Sequence, residues 1–257
     1  MTGPADRSTL DIAMPAGGTV RPDRVEGMGT PYKPLARLGD QYLTERVIAK
    51  LREWPRCGSI ALAAGDEVLS QIGELADATS DDQGSGPANL QACLDILGDP
   101  EWVLLCGCDP PFLTGEICDR FLERCPSDAD VCFSYVPAET YAAAYPGSPF
   151  LGLPLRGGRV VFGSLHLARS SVLRGRRELF ERAFAARKKP WRMLGIIGLG
   201  SALRFAVRRL SLRHVEARIS ALLGCRCVAV ESPDPAIAFD VDKPEHLRDA
   251  RRIMGIE

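Results

Sequence analysis

Three short stretches of this sequence carry side chains able to do chemistry. The first is Val103-Leu104-Leu105-Cys106-Gly107-Cys108-Asp109, followed by Pro110-Pro111. Its apolar run reads as a strand buried on both faces, the habit of a central parallel strand. The prolines forbid its continuation. In open α/β sheets, ligands sit beyond the carboxyl ends of the strands, so Asp109 stands where a ligand would be met. A carboxylate there could instead cap the next helix, but Thr114 already supplies a good N-cap. The second stretch is Phe239-Asp240-Val241-Asp242-Lys243-Pro244. If it closes a short strand, its carboxylates at i and i+2 share a face. Asp242 and Lys243 could equally be ordinary start residues of a helix opened by Pro244. The third is the turn Ala16-Gly17-Gly18, with Arg21, Arg24 and Lys33 behind it. Backbone free of side chains lets amide N–H groups approach phosphate oxygens, and the cations neutralise what remains. It is not a P-loop, because the Gly-Lys-Ser/Thr signature is missing. Carboxylates converging from separate strand ends suit Mg²⁺, a hard cation shared with substrate phosphates.

The elements that must position these groups follow from periodicity. Leu10–Ala16 reads as a first strand, and residues 19–34 as a Gly- and Pro-rich loop. Leu43, Val47 and Leu51 recur at helical spacing inside a helix expected from Asp40 to Glu53. Strand character returns at Ser59–Ala64, a helix at Glu67–Leu75, a polar loop at Asp77–Ala88 and a helix at Asn89–Leu97. After the Asp109 strand come a helix from Thr114 to Arg124 and a strand over Ala129–Val136. This alternation requires a mainly parallel sheet with right-handed crossovers. Beyond Val136 the pattern changes. Gly157-Gly158 between two extended arms signals a hairpin. Helices are expected over Arg174–Lys189, Ser211–Leu223 and Pro244–Met254, with a strand at Cys225–Val230.

The chain has 257 residues, enough for one large α/β domain. Its net charge of -1 implies no whole-chain attraction to nucleic acid. The charge is unevenly spread: Arg169 to Arg218 holds 14 Lys/Arg against 3 Glu. A basic segment in an otherwise acidic chain is a candidate anion-binding surface. Nine scattered cysteines and an opening without a basic start or an apolar run point to a reducing cytoplasm. Zinc could be held by the pairs Cys106/Cys108 and Cys225/Cys227, but cysteine is also an ordinary buried residue. The run Met193–Gly200 is too short to span a bilayer. It reads as a buried helix, an apolar substrate wall or, with its basic flanks, a peripheral membrane contact.

The Ala-Gly-Gly loop, Lys33-Pro34-Leu35, the strand into Asp109-Pro110-Pro111-Phe112-Leu113 and the late Asp240-Val241-Asp242-Lys243-Pro244-Glu245-His246-Leu247 together resemble GT-A type nucleotidyltransferases. The likeness is nearest to molybdenum-cofactor nucleotidyltransferase-like proteins, which share the NTP transferase domain. It runs in order from Asp11 to Met254 with a gap in the middle. The resemblance implies a three-layer Rossmann-like α/β fold with helices on both faces of the sheet. Residues 1–257 would form a single domain, with 137–224 as an acceptor-binding insertion or lid. It implies Mg²⁺-dependent transfer of a nucleoside monophosphate from an NTP (CTP or GTP) to a small phosphorylated acceptor, releasing pyrophosphate. Ala16, Gly17 and Gly18 would cradle the triphosphate, and Lys33 would face the α-phosphate. Arg21 or Arg24 would be the phosphate arginine. Asp109 and Asp242, or Asp240 within the pair, would hold the metal. Gly84, Ser85 and Asn89 fall where the family reads base and ribose. Lys33 lies fifteen residues beyond Gly18, farther than is usual in the family. The span from Val136 to Gly224 is also longer than the usual acceptor region.

An anionic acceptor oxygen needs no general base, so positioning and electrostatics would supply the rate. The basic segment offers Arg187, Lys188 and Arg192 to that acceptor. Lys33 itself is expected in an exposed loop. Two other functions fit the same residues. A GT-A glycosyltransferase would use Asp240-x-Asp242 to hold a nucleotide-sugar through a metal, and a nucleotide-sensing protein would keep the pocket without turnover.

Overall fold

The computed structural model describes residues 8–186, 196 and 198–256. Eight strands form one sheet: β1 (Leu10–Pro15), β2 (Cys57–Ala64), β3 (Ala78–Asp81), β4 (Trp102–Cys106), β5 (Val131–Pro137), β6 (Leu153–Leu155), β7 (Gly158–Arg169) and β8 (Cys227–Glu231). The spatial order is β8-β5-β7-β4-β1-β2-β3, with β6 on β7. The pairs β1/β2, β1/β4, β2/β3 and β5/β8 are parallel. Strand β7 alone inserts antiparallel between β4 and β5. The sheet is thus mostly parallel but mixed, and its helical crossovers make the chain an α/β, Rossmann-like fold.

The described helices are α1 (Leu43–Arg52), α2 (Asp66–Ile72), α3 (Gly86–Ile96), α4 (Gly115–Glu123), α5 (Ala138–Ala144), α6 (Ser170–Gly175), α7 (Arg177–Ala186), α8 (Leu199–Ala206), α9 (Leu212–Leu223) and α10 (Pro244–Ile253), besides a single turn at Val25–Met28. Helix α1 starts later than its periodicity suggests, because Arg37–Leu38 and Gln41–Tyr42 first pair as a small ladder. Glu45 then accepts the Tyr42 N–H at 2.9 Å and fixes the helix start. Thr114 caps α4 by accepting the Ile117 N–H, which leaves Asp109 free of that task.

Alternation along the strands divides the core in two. Ile12, Met14, Leu62 and Leu104 face a large cluster with α1 and α4 residues. Ala13, Ala61, Ala63, Val103 and Ala168 face a second cluster with Cys93, Leu94 and Leu173. The small residues of that second face let α3 lie close to β1 and β2. The contrast matters for the site, because the close approach of α3 brings Asn89 against the turn that follows β1.

Several expectations need correcting. Residues 78–81 are not loop but the parallel edge strand β3. Ala-Thr-Ser-Asp has no apolar run because an edge strand buries neither face fully. The hairpin at Gly157-Gly158 forms, yet its second arm is the 12-residue strand β7 inside the sheet. The span 137–224 is therefore partly integral to the sheet rather than wholly inserted. The basic helix divides into α6 and α7 at Arg176. Arg169 pairs with Glu101 and Asp130, and Arg174 with Asp95 and Asp99, so part of the basic excess stitches the fold together. Arg187, Lys188 and Arg192 lie outside the described residues, as do Met193–Gly195 and Ile197 of the glycine-rich run. No helix among the described residues is long and apolar enough to cross a membrane.

Candidate active site

A cleft of about 530 Å³ opens at the carboxyl ends of β1 and β3, lined by Gly17, Gly18, Arg21, Arg24, Lys33, Asp82, Gly84, Ser85, Asn89 and Asp242 among others. Its floor is the glycine turn. Ala16 donates its N–H to Ala63 O as the last rung of the sheet. Gly18 has φ +88°, a conformation glycine adopts without strain. Gly17 is required for space instead: a Cβ there would lie 2.2 Å from Asn89 Nδ2 and 2.3 Å from Asp82 Oδ1.

Asp82 is the residue that sequence reasoning missed. It lies just beyond the end of β3 and accepts N–H groups from Gly18 (3.2 Å) and Gly84 (3.0 Å), and the Asn89 amide (2.9 Å). Burial would raise its carboxyl, but these hydrogen bonds outweigh that and hold it below the usual range. Asn89 is 1% exposed and is bonded at both ends, its Oδ1 accepting the Gln83 N–H at 2.6 Å. Within the protein it therefore knits the 82–89 loop to the glycine turn. Ser85 caps α3 by accepting the Ala88 N–H, and its hydroxyl contacts both Glu181 carboxylate oxygens at 3.0 Å.

The opposite wall carries the charge. Lys33 opens a short 3-10 turn with Pro34 buried beneath it. Its Nζ lies 2.5 Å from Asp109 Oδ2 and 2.9 Å from Asp242 Oδ1, so one ammonium bridges two carboxylates whose strand and loop meet at this rim. The Lys33 side chain is 30% exposed, that of Asp109 9% and that of Asp242 59%. Lys33 is thus largely enclosed rather than carried on an exposed loop. Burial works against its charge, but Asp109 and then Asp242 outweigh burial and hold its pKa well above the ordinary lysine value. For Asp242, burial is likewise outweighed by Lys33, with His246 and Arg24 assisting, and its carboxyl is held low.

Asp240 and Asp242 do not share a strand face. The Asp242 N–H turns back onto Asp240 O at 3.1 Å, so this segment is a tight turn. The two side chains meet different partners. Asp240 points inward and accepts Ser164 Oγ at 2.5 Å. Burial first, then the Asp109 charge, push its carboxyl well above the usual range. Ser164 is a second residue the sequence reading passed over, and His246 a third. The His246 ring accepts the Asp242 N–H at Nδ1 (3.2 Å) and bonds Pro149 O through Nε2 (2.9 Å), which pins the turn. Arg24 donates to Asp242 O, whereas Arg21, exposed, forks onto Asp23. Both arginines line the cleft.

Three carboxylates share this half-buried rim with one ammonium, which bonds only two of them. An all-oxygen donor set of this kind fits a hard divalent cation, whose charge would relieve the repulsion at Asp240. Among the described residues no group of three acidic, cysteine or histidine side chains stands converged at metal-ligand distance. The pair Asp109/Asp242 is bridged by Lys33 instead. The cysteine pairs hold no such cluster either, and all nine cysteines are free thiols.

A family model described as the MobA-like NTP transferase domain matches residues 16–190. No curated protein matches the chain. Among solved structures, a hypothetical transferase from Thermus thermophilus is 28% identical with TM-score 0.80, covering 93% of this chain and 99% of its own. A CMP:2-keto-3-deoxy-manno-octonic acid synthetase complexed with CTP shares the fold at 14% identity and TM-score 0.59, covering 97% and 99%. So does a 2-C-methyl-D-erythritol 4-phosphate cytidylyltransferase, also from Thermus thermophilus, at 17% identity and TM-score 0.55, covering 97% and 100%. With the family model spanning more than half of its length, the chain belongs to the MobA-like NTP transferase domain family and is a nucleotidyltransferase.

Proposed function

We propose that this protein transfers a nucleoside monophosphate from an NTP, CTP or GTP, to a small anionic acceptor and releases pyrophosphate. The observation that carries this reading is the Lys33 ammonium held between Asp109 and Asp242 at the mouth of a glycine-floored cleft. A lysine kept protonated by two carboxylates is a stored positive charge at the point where phosphate oxygens would enter. The triphosphate would lie over Gly17 and Gly18, with Arg24 and Arg21 offsetting its outer charge. The fork of Arg21 to Asp23 is exposed on both sides and so holds it weakly. The loop held by Asp82 and Asn89 would present Gly84 and Ser85 to ribose and base. The names of two relatives in fold include CTP or a cytidylyl transfer, which supports a pyrimidine nucleotide.

Asp109 and Asp242, with Asp240 behind them, would hold Mg²⁺. When bound, that ion would neutralise nucleotide oxygens and offset charge on the leaving group. Lys33, released from its carboxylates, would turn its charge onto the α-phosphate. An acceptor oxygen attacks the α-phosphorus in line. The new O–P bond forms as the bond to pyrophosphate breaks, and the electron pair leaves with pyrophosphate. The acceptor oxygen is already anionic, so the chain needs no general base. What it supplies is positioning and fixed charge.

Calorimetric titration with CTP, GTP, ATP and UTP, with and without Mg²⁺, tests the reading. Tight binding of one nucleotide that requires Mg²⁺ and is lost in Asp109→Asn and Asp242→Asn is expected. Binding that ignores both substitutions would remove the carboxylates from the site.

A further inference from the structure

A second cleft, of about 430 Å³, lies beside the first on the small-residue face of the sheet. Its floor is formed by neighbouring strands: Leu105 of β4 and His166 of β7 are direct cross-strand partners, and the Gly107 N–H bonds Ser164 O at 2.9 Å. Leu90 of α3 and Phe180 of α7 rise as side walls. Gly86 borders both clefts, and Ser164 on the floor is the residue that holds Asp240. The two clefts therefore meet at Gly86, and the second borders the carboxylates through Ser164.

The chemistry of this cleft differs from that of the first. Among the described residues no Asp, Glu, Lys or Arg lines it. Among the described residues His166 is its one ionisable side chain besides the Cys106 thiol, and burial drives the histidine down to about 4, so the ring is neutral at physiological pH. Nδ1 of that ring is fully buried without a hydrogen-bond partner among the described residues. Leaving an N–H unpaired in such a place costs more than leaving a lone pair. The proton therefore belongs on Nε2, and the ring's one available polar atom is a donor. An apolar slot of this size suits a ring or short hydrocarbon body.

We infer that this cleft receives the body of the acceptor, an uncharged, largely apolar group carrying one hydrogen-bond acceptor for His166, while its anionic end reaches the Lys33 rim. The inference rests on the proposed nucleotidyl transfer and names the acceptor class for it. It also accounts for a polar pair, Ser164 and His166, on one face of a strand whose intervening residues are apolar. Ser164 serves the carboxylates, and His166 serves no partner among the described residues.

Two surrogate acceptors test this: 2-phenylethyl phosphate, and phenacyl phosphate, which adds a carbonyl. Inorganic phosphate is the control, and CTP and GTP are titrated separately by calorimetry. Both organic phosphates should bind the wild-type protein at least about tenfold more tightly than inorganic phosphate, a difference of about 1.4 kcal/mol. Phenacyl phosphate should be the tighter of the two. Leu90→Trp, which fills the slot, should abolish the gain over inorganic phosphate while leaving nucleotide affinity within twofold. His166→Phe should keep the gain and erase the preference for phenacyl phosphate. Equal binding of all three phosphates overturns the inference, as does an unchanged preference in His166→Phe or an unchanged gain in a folded Leu90→Trp. Should Leu90→Trp fail to fold, the wild-type ranking and His166→Phe decide the matter alone. A protein that binds no nucleotide with Mg²⁺ would instead refute the proposed transferase activity. Nucleotide binding without any preference for the organic phosphates refutes only the acceptor cleft.

Discussion

Asp240→Asn should make the protein more stable and less functional at once. Asp240 is enclosed, accepts a hydrogen bond from Ser164, and has Asp109 as a like-charged neighbour. The nearest cation, Lys33, is bonded to Asp109 and Asp242 instead. Asparagine keeps the volume and an oxygen for Ser164 while removing the charge. Relief of an incompletely satisfied buried polar group amounts to about 1–3 kcal/mol. At about 2–4 °C per kcal/mol for a chain of this size, Tm without ligand should rise by roughly 2–12 °C at neutral pH. The pH dependence has a fixed sign. The folded-state pKa is raised, so the folded protein binds this proton more tightly than the unfolded chain does. The wild-type penalty is therefore complete above the folded pKa and vanishes as pH falls below the ordinary carboxyl value of 3.8. Melting curves of both proteins should converge on acidification. Nucleotide affinity should move the other way, falling at least about tenfold with Mg²⁺, since an anionic donor is lost. A variant that melts lower than wild type at pH 7, or a gap that does not narrow in acid, refutes the electrostatic reasoning. Unchanged Mg²⁺-dependent nucleotide affinity takes Asp240 out of the site.

Lys33→Ala should reduce nucleotide affinity at least about tenfold and also cost stability, because it strands Asp109. Breaking a fully buried pair costs about 3–5 kcal/mol; with Lys33 30% and Asp242 59% exposed, about 1–3 kcal/mol is expected in melting experiments. The raised Lys33 pKa makes that stabilisation complete below the ordinary lysine value of 10.5 and lost only as pH climbs through the folded value, so the gap should persist in mildly alkaline buffer. Gly17→Ala drives a Cβ into Asn89 and Asp82, and should abolish nucleotide binding and lower Tm, as calorimetry and melting would show. Replacing Arg187 and Lys188 together by Ala should weaken phenacyl phosphate binding in a salt-sensitive way and leave CTP and GTP unchanged. Equal loss for nucleotide and phosphate would remove that segment from acceptor recognition.

The carboxyl-end logic of a parallel sheet pointed to the candidate site from sequence because it depends on local signals. Asp109 closes an apolar run with two prolines behind it, and Gly17-Gly18 closes another, so both ends fall on one rim whatever the intervening crossovers do. Asp82 obeys the same logic but follows the edge strand Ala-Thr-Ser-Asp, whose polarity hid the strand and therefore the strand end. Strand β7 was visible as a hairpin arm, yet hairpin chemistry specifies the turn and not what lies on the far side. Its pairing with β4 and β5 is decided by contacts across the sheet. The same limit separates the members of the Asp240-Val241-Asp242 segment. Spacing placed both carboxylates near the rim, but their roles are set by partners 76 and 209 residues away, Ser164 and Lys33. One faint signal did exist for the acceptor side. Ser164 and His166 alternate with Leu165 and Leu167 in a strand whose other face is buried core. A central strand that keeps polar side chains on one face must either satisfy them within the fold or present them to a ligand. Ser164 is satisfied by Asp240, and the unpaired His166 beside it marks where the sheet turns from holding itself together to holding something else.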